Sequence, residues 1–149
     1  MNMSSMSNVA RLAFTIILFN IALLGVKAQT VRAVHFVSGQ GSTKPVYEYN
    51  SVDIPPSFPG GKLSMMRYIN SERRYPSQAY DQGIEGRVTC GFVVGADGSI
   101  KEVSVLKSAY PALDAEAVRL VESMPKWDPG IVDGEKVAVY CVMPIAFRL

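Results

Sequence analysis

Two cysteines, one histidine and 13 acidic residues are the side chains from which this 149-residue chain would have to build an active site or a metal centre. Catalysis needs a nucleophile beside a base, or paired carboxylates, or several ligands at fixed spacing. Cys90 and Cys141 show no Cys-x-x-Cys spacing, and His35 lies far from both, so neither zinc binding nor thioredoxin-like chemistry is supported. Each nearby acid has a structural use: Asp97 in a turn, Asp114 as a helix cap, Glu116 and Glu122 on a helix surface. Pro59-Gly60-Gly61-Lys62 lacks the spacing of a phosphate-binding loop. The sequence therefore offers no catalytic residue, no cofactor site and no metal site, and the chain reads as non-enzymatic.

The elements around these residues point to binding. Pro55-Pro56-Ser57-Phe58-Pro59-Gly60-Gly61 is a turn-rich entry, followed from Lys62 by a short helix with Leu63, Met66 and Ile69 as its apolar stripe. A second short helix is expected from Pro76 to about Gln82. Val88, Cys90, Phe92 and Val94 alternate ahead of an Asp97-Gly98 turn, and a run from Ile100 carries Val103 and Val105 on one side, which together predict a hairpin. A helix capped by Asp114 follows, with Ala117, Leu120, Val121 and Met124 inward, Pro125 stopping it, and Trp127 anchoring beneath its end. The last strand, from about Lys136 to Phe147, places Val137, Val139, Cys141, Met143, Ile145 and Phe147 on one parity. Pro144 cannot donate to a ladder, so this strand should lie at a sheet edge or break there. The expected fold is α+β, a small three-stranded antiparallel sheet with helices packed on one face.

The amino-terminal region has the order of an export signal. Arg11 precedes an apolar run from Leu12 to Val26, and Val26-Lys27-Ala28 puts small residues at the positions a signal peptidase reads. The run is shorter than the ~20 residues of a spanning helix, so cleavage after Ala28 is the first reading and an uncleaved inner-membrane anchor the second. Residues 1–28 hold two of the 15 cations and none of the acids, leaving 13 of each in the remainder and no basic footprint for nucleic acid. Residues 29–54 read as an extended lead-in with a linker-like Ser38-Gly39-Gln40-Gly41-Ser42, and 55–149 as the folded domain. In an oxidising compartment Cys90 and Cys141 are either a disulfide or two buried thiols; both sit on the inward parity of their strands. An open edge of the small sheet would either accept an extended peptide as an added strand or simply be blunted by Pro144.

A series of landmarks makes a family resemblance specific. Phe58-Pro59-Gly60-Gly61, Tyr75-Pro76 with Ala79, Gly83-Ile84-Glu85-Gly86-Arg87-Val88, Phe92-Val93-Val94, Asp97-Gly98-Ser99-Ile100, Leu113-Asp114 with Glu116-Ala117, Met124-Pro125-Lys126-Trp127, and Met143-Pro144-Ile145 follow one another as in the TonB C-terminal domain family, which Pro55 to Leu149 resembles. The resemblance implies binding of the periplasmic peptide of TonB-dependent outer-membrane receptors, in support of transmembrane transport. The peptide would pair with the last strand, here Val137, Ala138, Val139, Tyr140, Cys141, Val142 and Met143, and the receptor would also face Glu72, Arg73 and Arg74 before the Tyr-Pro pair. It also implies inner-membrane motor proteins as partners if the anchor is retained. A cleaved leader and a lead-in with Pro45 as its one proline instead suit a soluble periplasmic adaptor that does not transmit force.

Overall fold

The computed structural model describes residues 34–35 and 44–149. The export segment, its cleavage position and the linker at 38–42 lie outside them. Ten elements follow in order: β1 (Val34–His35), β2 (Val46–Glu48), a 3-10 turn (Tyr49–Ser51), α1 (Gly61–Glu72), α2 (Ser77–Asp81), β3 (Gly86–Val94), β4 (Ile100–Lys107), α3 (Pro111–Glu122), β5 (Gly130–Val132) and β6 (Glu135–Phe147). The strands form one mixed sheet ordered β1-β2-β6-β3-β4, with β5 hairpinned onto the start of β6. The fold is α+β, as expected, and its centre is the antiparallel trio β6-β3-β4. The sheet is nevertheless larger than three strands, because β5, β2 and β1 extend it.

The hairpin β3-β4 closes where the sequence places it. Gly98 takes φ +82°, open to glycine at little cost, and Asp97 Oδ1 accepts the Ser99 N–H (3.1 Å) and Oγ–H (2.6 Å). A Cβ on Gly98 would stand 2.1 Å from the Trp127 carbonyl oxygen, and the Trp127 N–H donates to Gly98 O (2.8 Å), tying this turn to the chain after α3. Across β3-β4 the register shifts between Gly91 and Val93, and Glu102 takes φ +54° there, a β-bulge carried by a non-glycine residue.

Inward parity builds the core. Val88, Cys90, Phe92 and Val94 from β3, Leu113, Ala117, Leu120 and Val121 from α3, and Val139, Cys141, Met143, Ile145 and Phe147 from β6 are buried in one cluster. Trp127 closes it from below, edge-on to Phe58 (5.9 Å) and Phe92 (5.6 Å). Two expectations change. The face of α1 that meets the core is Met65, Tyr68 and Ile69, while Leu63 and Met66 are exposed. And α3 begins at Pro111, with Tyr110 as its cap residue, so Asp114 is not the cap: its carboxylate reaches back to the Ser108 hydroxyl and the Ala109 N–H.

Candidate functional site

β6 is the longest strand, and its two edges differ. On one side Val139–Phe147 pairs without a register break to β3, from Val94↔Val139 to Gly86↔Phe147. On the other side the chain covers only the first half. There Ala138, Val139 and Tyr140 run parallel to Val46, Tyr47 and Glu48 of β2, while β5 pairs Gly130 with Val137 on the β3 side of the strand. The last strand is therefore not an edge along its whole length, and of Val137–Met143 only Cys141, Val142 and Met143 lie beyond the covering strands. From Cys141 to Phe147 no strand pairs with that side among the described residues.

Arg73 marks where this second edge ends. Its guanidinium donates to the Ala146 carbonyl and lies 5.9 Å from the centre of the Phe147 ring. An antiparallel ladder alternates the direction of its main-chain polar groups, so Val142 and Pro144 turn theirs the same way as Ala146, away from β3. This explains how Pro144 sits within β6: its missing N–H belongs to the outer edge, and the ladder with β3 loses nothing. Val142 and Pro144 also expose their side chains, whereas Cys141, Met143 and Ile145 are buried.

The segment that carries Arg73 is held from α3. Glu116, expected on the helix surface, is instead 9% exposed. It accepts the Arg74 main-chain N–H (2.7 Å) and a bidentate pair from Arg119 Nε and Nη2 (2.7 Å each), and Arg119 Nη2 also donates to the Glu72 carbonyl (2.8 Å). Burial alone would raise the Glu116 carboxyl; the Arg119 hydrogen bonds, then the Arg74 N–H and the nearby cations, outweigh it and hold the group below the usual carboxylate range. Tyr75 follows, its hydroxyl donating to Ile84 O (2.6 Å) and its ring edge-on to Phe147 (5.9 Å). Of the three residues expected before the Tyr-Pro pair, Arg73 reaches β6 with its side chain, whereas the hydrogen bonds that tie Glu72 and Arg74 to α3 are made by their main chain.

Between the end of β2 and Arg73, a hollow of about 530 Å³ opens beside Cys141–Met143, with Phe58, Met65 and Trp127 among its walls. No local pattern announces it, because its walls come from the end of β2 and the 3-10 turn, the entry loop, α1, β3, the Trp127 turn and β6. Cys90 and Cys141 lie on the same buried face of neighbouring strands but two positions out of register, Cys90 opposite Met143 and Cys141 opposite Phe92. Both are unbridged thiols. Burial pushes the Cys141 thiol up to about 12 and, with the charge of Asp114, raises Cys90, so neither is a nucleophile near neutral pH. Among the described residues no three side chains of metal-ligating type converge, and no helix is long and apolar enough to cross a membrane.

Comparison with known proteins places this geometry. Residues 71–149 match the family model of the Gram-negative bacterial TonB protein C-terminal. Protein TonB of Helicobacter pylori is 32% identical over 88 residues, covering 58% of this chain and 30% of the relative. Protein TonB of Vibrio cholerae is 38% identical over 77 residues, covering 51% and 31%. This chain thus spans about a third of the length of the curated relatives it matches. Among solved structures, the C-terminal domain of Helicobacter pylori TonB is similar at 29% identity and a TM-score of 0.46, covering 58% of this chain and 78% of that one.

Proposed function

The chain belongs to the Gram-negative bacterial TonB protein C-terminal family, and on that premise we propose that it binds the periplasmic peptide of TonB-dependent outer-membrane receptors by strand addition, as the receptor-facing module of an envelope transport system. One observation carries the reading. The outer edge of β6 already takes a parallel strand, β2, over Ala138–Tyr140, and beyond it no strand among the described residues pairs with the edge as far as Arg73. An edge built this way supplies affinity through main-chain hydrogen bonds and leaves specificity to side chains. An incoming peptide adds along Cys141–Ala146, and reaches the rest of Val137–Met143 only where it replaces β2. Arg73, held in place by the Glu116–Arg119 pair, meets the far end of that peptide, with Glu72 and Arg74 on the same side. The module binds and does no covalent chemistry; motor proteins of the inner membrane are its further partners where the amino-terminal segment is kept as an anchor.

The test is titration calorimetry of the full chain with a synthetic amino-terminal peptide of an outer-membrane receptor, comparing wild type with Val142→Pro. That substitution removes an outward N–H at an exposed position and leaves the ladder to β3 intact, as Pro144 already does. Affinity should fall about tenfold, the loss of one interface hydrogen bond plus the altered edge. Unchanged affinity in a variant that melts like wild type would remove strand addition from the account.

A further inference from the structure

The main-chain groups that turn outward along β6 belong to alternate residues. Ala138 and Tyr140 each offer an N–H and a carbonyl, and Val142 does so next. Pro144 has no N–H to offer, and the Ala146 carbonyl is already taken by Arg73. The richer half of the edge is therefore the half that β2 covers. Yet β2 is lightly held. It pairs over three residues, in parallel, the weaker ladder per residue. Val46, Tyr47 and Glu48 are all half-buried, with Tyr47 packed against the core.

The chain just beyond β2 is fixed more firmly. The N–H groups of Asp53 and Ile54 donate to Ile131 O (2.9 and 3.2 Å), and Ile131 returns a bond to Ile54 O (2.9 Å). The Asp53 carboxylate accepts the Asp133 N–H (2.7 Å), and Ser57 and Asp128 exchange main-chain bonds (3.0 and 2.8 Å). If residues 44–52 let go of β6, they stay tethered at Asp53, beside the edge they left.

Resting on the strand-addition reading above, we propose that β2 is a displaceable strap, the chain's own occupant of the partner's edge. A receptor peptide must lift it to pair along residues 138–146 rather than 141–146 alone. While the strap is seated, the peptide has only the short stretch interrupted by Pro144. Lifting it releases Ala138 and Tyr140, and the tether returns the strap at high local concentration once the peptide leaves. Affinity for the long stretch scales with the fraction of chains whose strap is lifted, so loosening the strap strengthens binding and fastening it weakens binding.

The probe is a synthetic amino-terminal peptide of an outer-membrane receptor, titrated into the full chain while backbone amides are followed. Three forms are compared: wild type, Tyr47→Ser, and a paired Val46→Cys with Ala138→Cys, two positions that stand opposite one another. Oxidising the pair fastens the strap and reducing it frees the strap, so the test does not depend on how well Tyr47→Ser folds. The native thiols of Cys90 and Cys141 are buried and stay out of the exchange. The oxidised pair should bind at least about tenfold more weakly than the reduced pair, with amide changes confined to residues 141–146. Tyr47→Ser removes a half-buried aromatic contact from the closed state and should bind about tenfold more tightly than wild type, with changes reaching Ala138. Equal affinities in all forms, with shifts along residues 141–146, would overturn the strap and leave strand addition standing. Shifts that avoid β6 in every form, or no binding at millimolar peptide, would overturn both. Hydrogen exchange checks the strap without any peptide: protected amides of β2 should exchange at least about tenfold faster than those of β3, and equal protection would overturn the proposal.

Discussion

Replacing Glu116 by glutamine should loosen the clamp that presents Arg73 to β6. The carboxylate is 9% exposed and receives three donors at 2.7 Å, from the Arg74 N–H and from two nitrogens of Arg119. A hydrogen bond to a charged group is worth roughly 1.5–3 kcal/mol, but Arg119 is 36% exposed, so water recovers part of its share. Glutamine keeps one acceptor and loses the charge, and the net cost at neutral pH should be about 2 kcal/mol, or about 10 °C in Tm for a domain of this size. The effect must depend on pH in a defined direction. The folded-state carboxyl titrates below its unfolded value, so its contribution is fully present above the unfolded value of about 4.3 and is lost as the pH falls through the folded value. Thermal melts of wild type and Glu116→Gln followed by circular dichroism from pH 7 to pH 3 should therefore converge at the acid end. Equal Tm values at pH 7, or a gap that persists unchanged to pH 3, would refute this account of how the segment is held.

Three more outcomes are expected. Cys90 and Cys141 should both count as free thiols in the native protein and resist alkylation at pH 8 until the fold is opened, with intact mass as the readout; an oxidised pair would contradict the two-position offset between them. Gly98→Ala forces a Cβ to 2.1 Å from the Trp127 carbonyl at φ +82° and should lower the unfolding free energy by about 2 kcal/mol or more in urea denaturation. Glu102→Gly should raise it by up to about 1 kcal/mol in the same assay, because the bulge residue sits at φ +54°.

What the sequence displays is the part of the fold written with a period. From Val139 to Phe147 the residues of β6 alternate without interruption, so this inward set is legible, and Asp97-Gly98 announces its turn. Where apolar residues surround an element, periodicity stops deciding: α1 carries Leu63, Met65, Met66, Tyr68 and Ile69, and the buried face is the Met65-Tyr68-Ile69 one. Pro111 held the signal for the start of α3, but Asp114 has equal chemistry for a cap and for bonding backward to Ser108 and Ala109. Glu116 looks like any first-turn acid, and its burial depends on Arg74, 42 positions away. β2 is three residues with no alternation to read, and its parallel seat on β6 is a tertiary choice. The same holds for Arg73, whose type and position are visible in the sequence while its carbonyl partner on Ala146 is not.

The most direct measurement is a residue-by-residue map of backbone amide perturbation on the full chain as a receptor amino-terminal peptide is added. The largest changes are expected along the outer edge of β6 from Cys141 to Ala146, with smaller ones at Arg73 and at the end of β2. A map centred on β4 or on the exposed side of α1, with β6 unchanged, would contradict it.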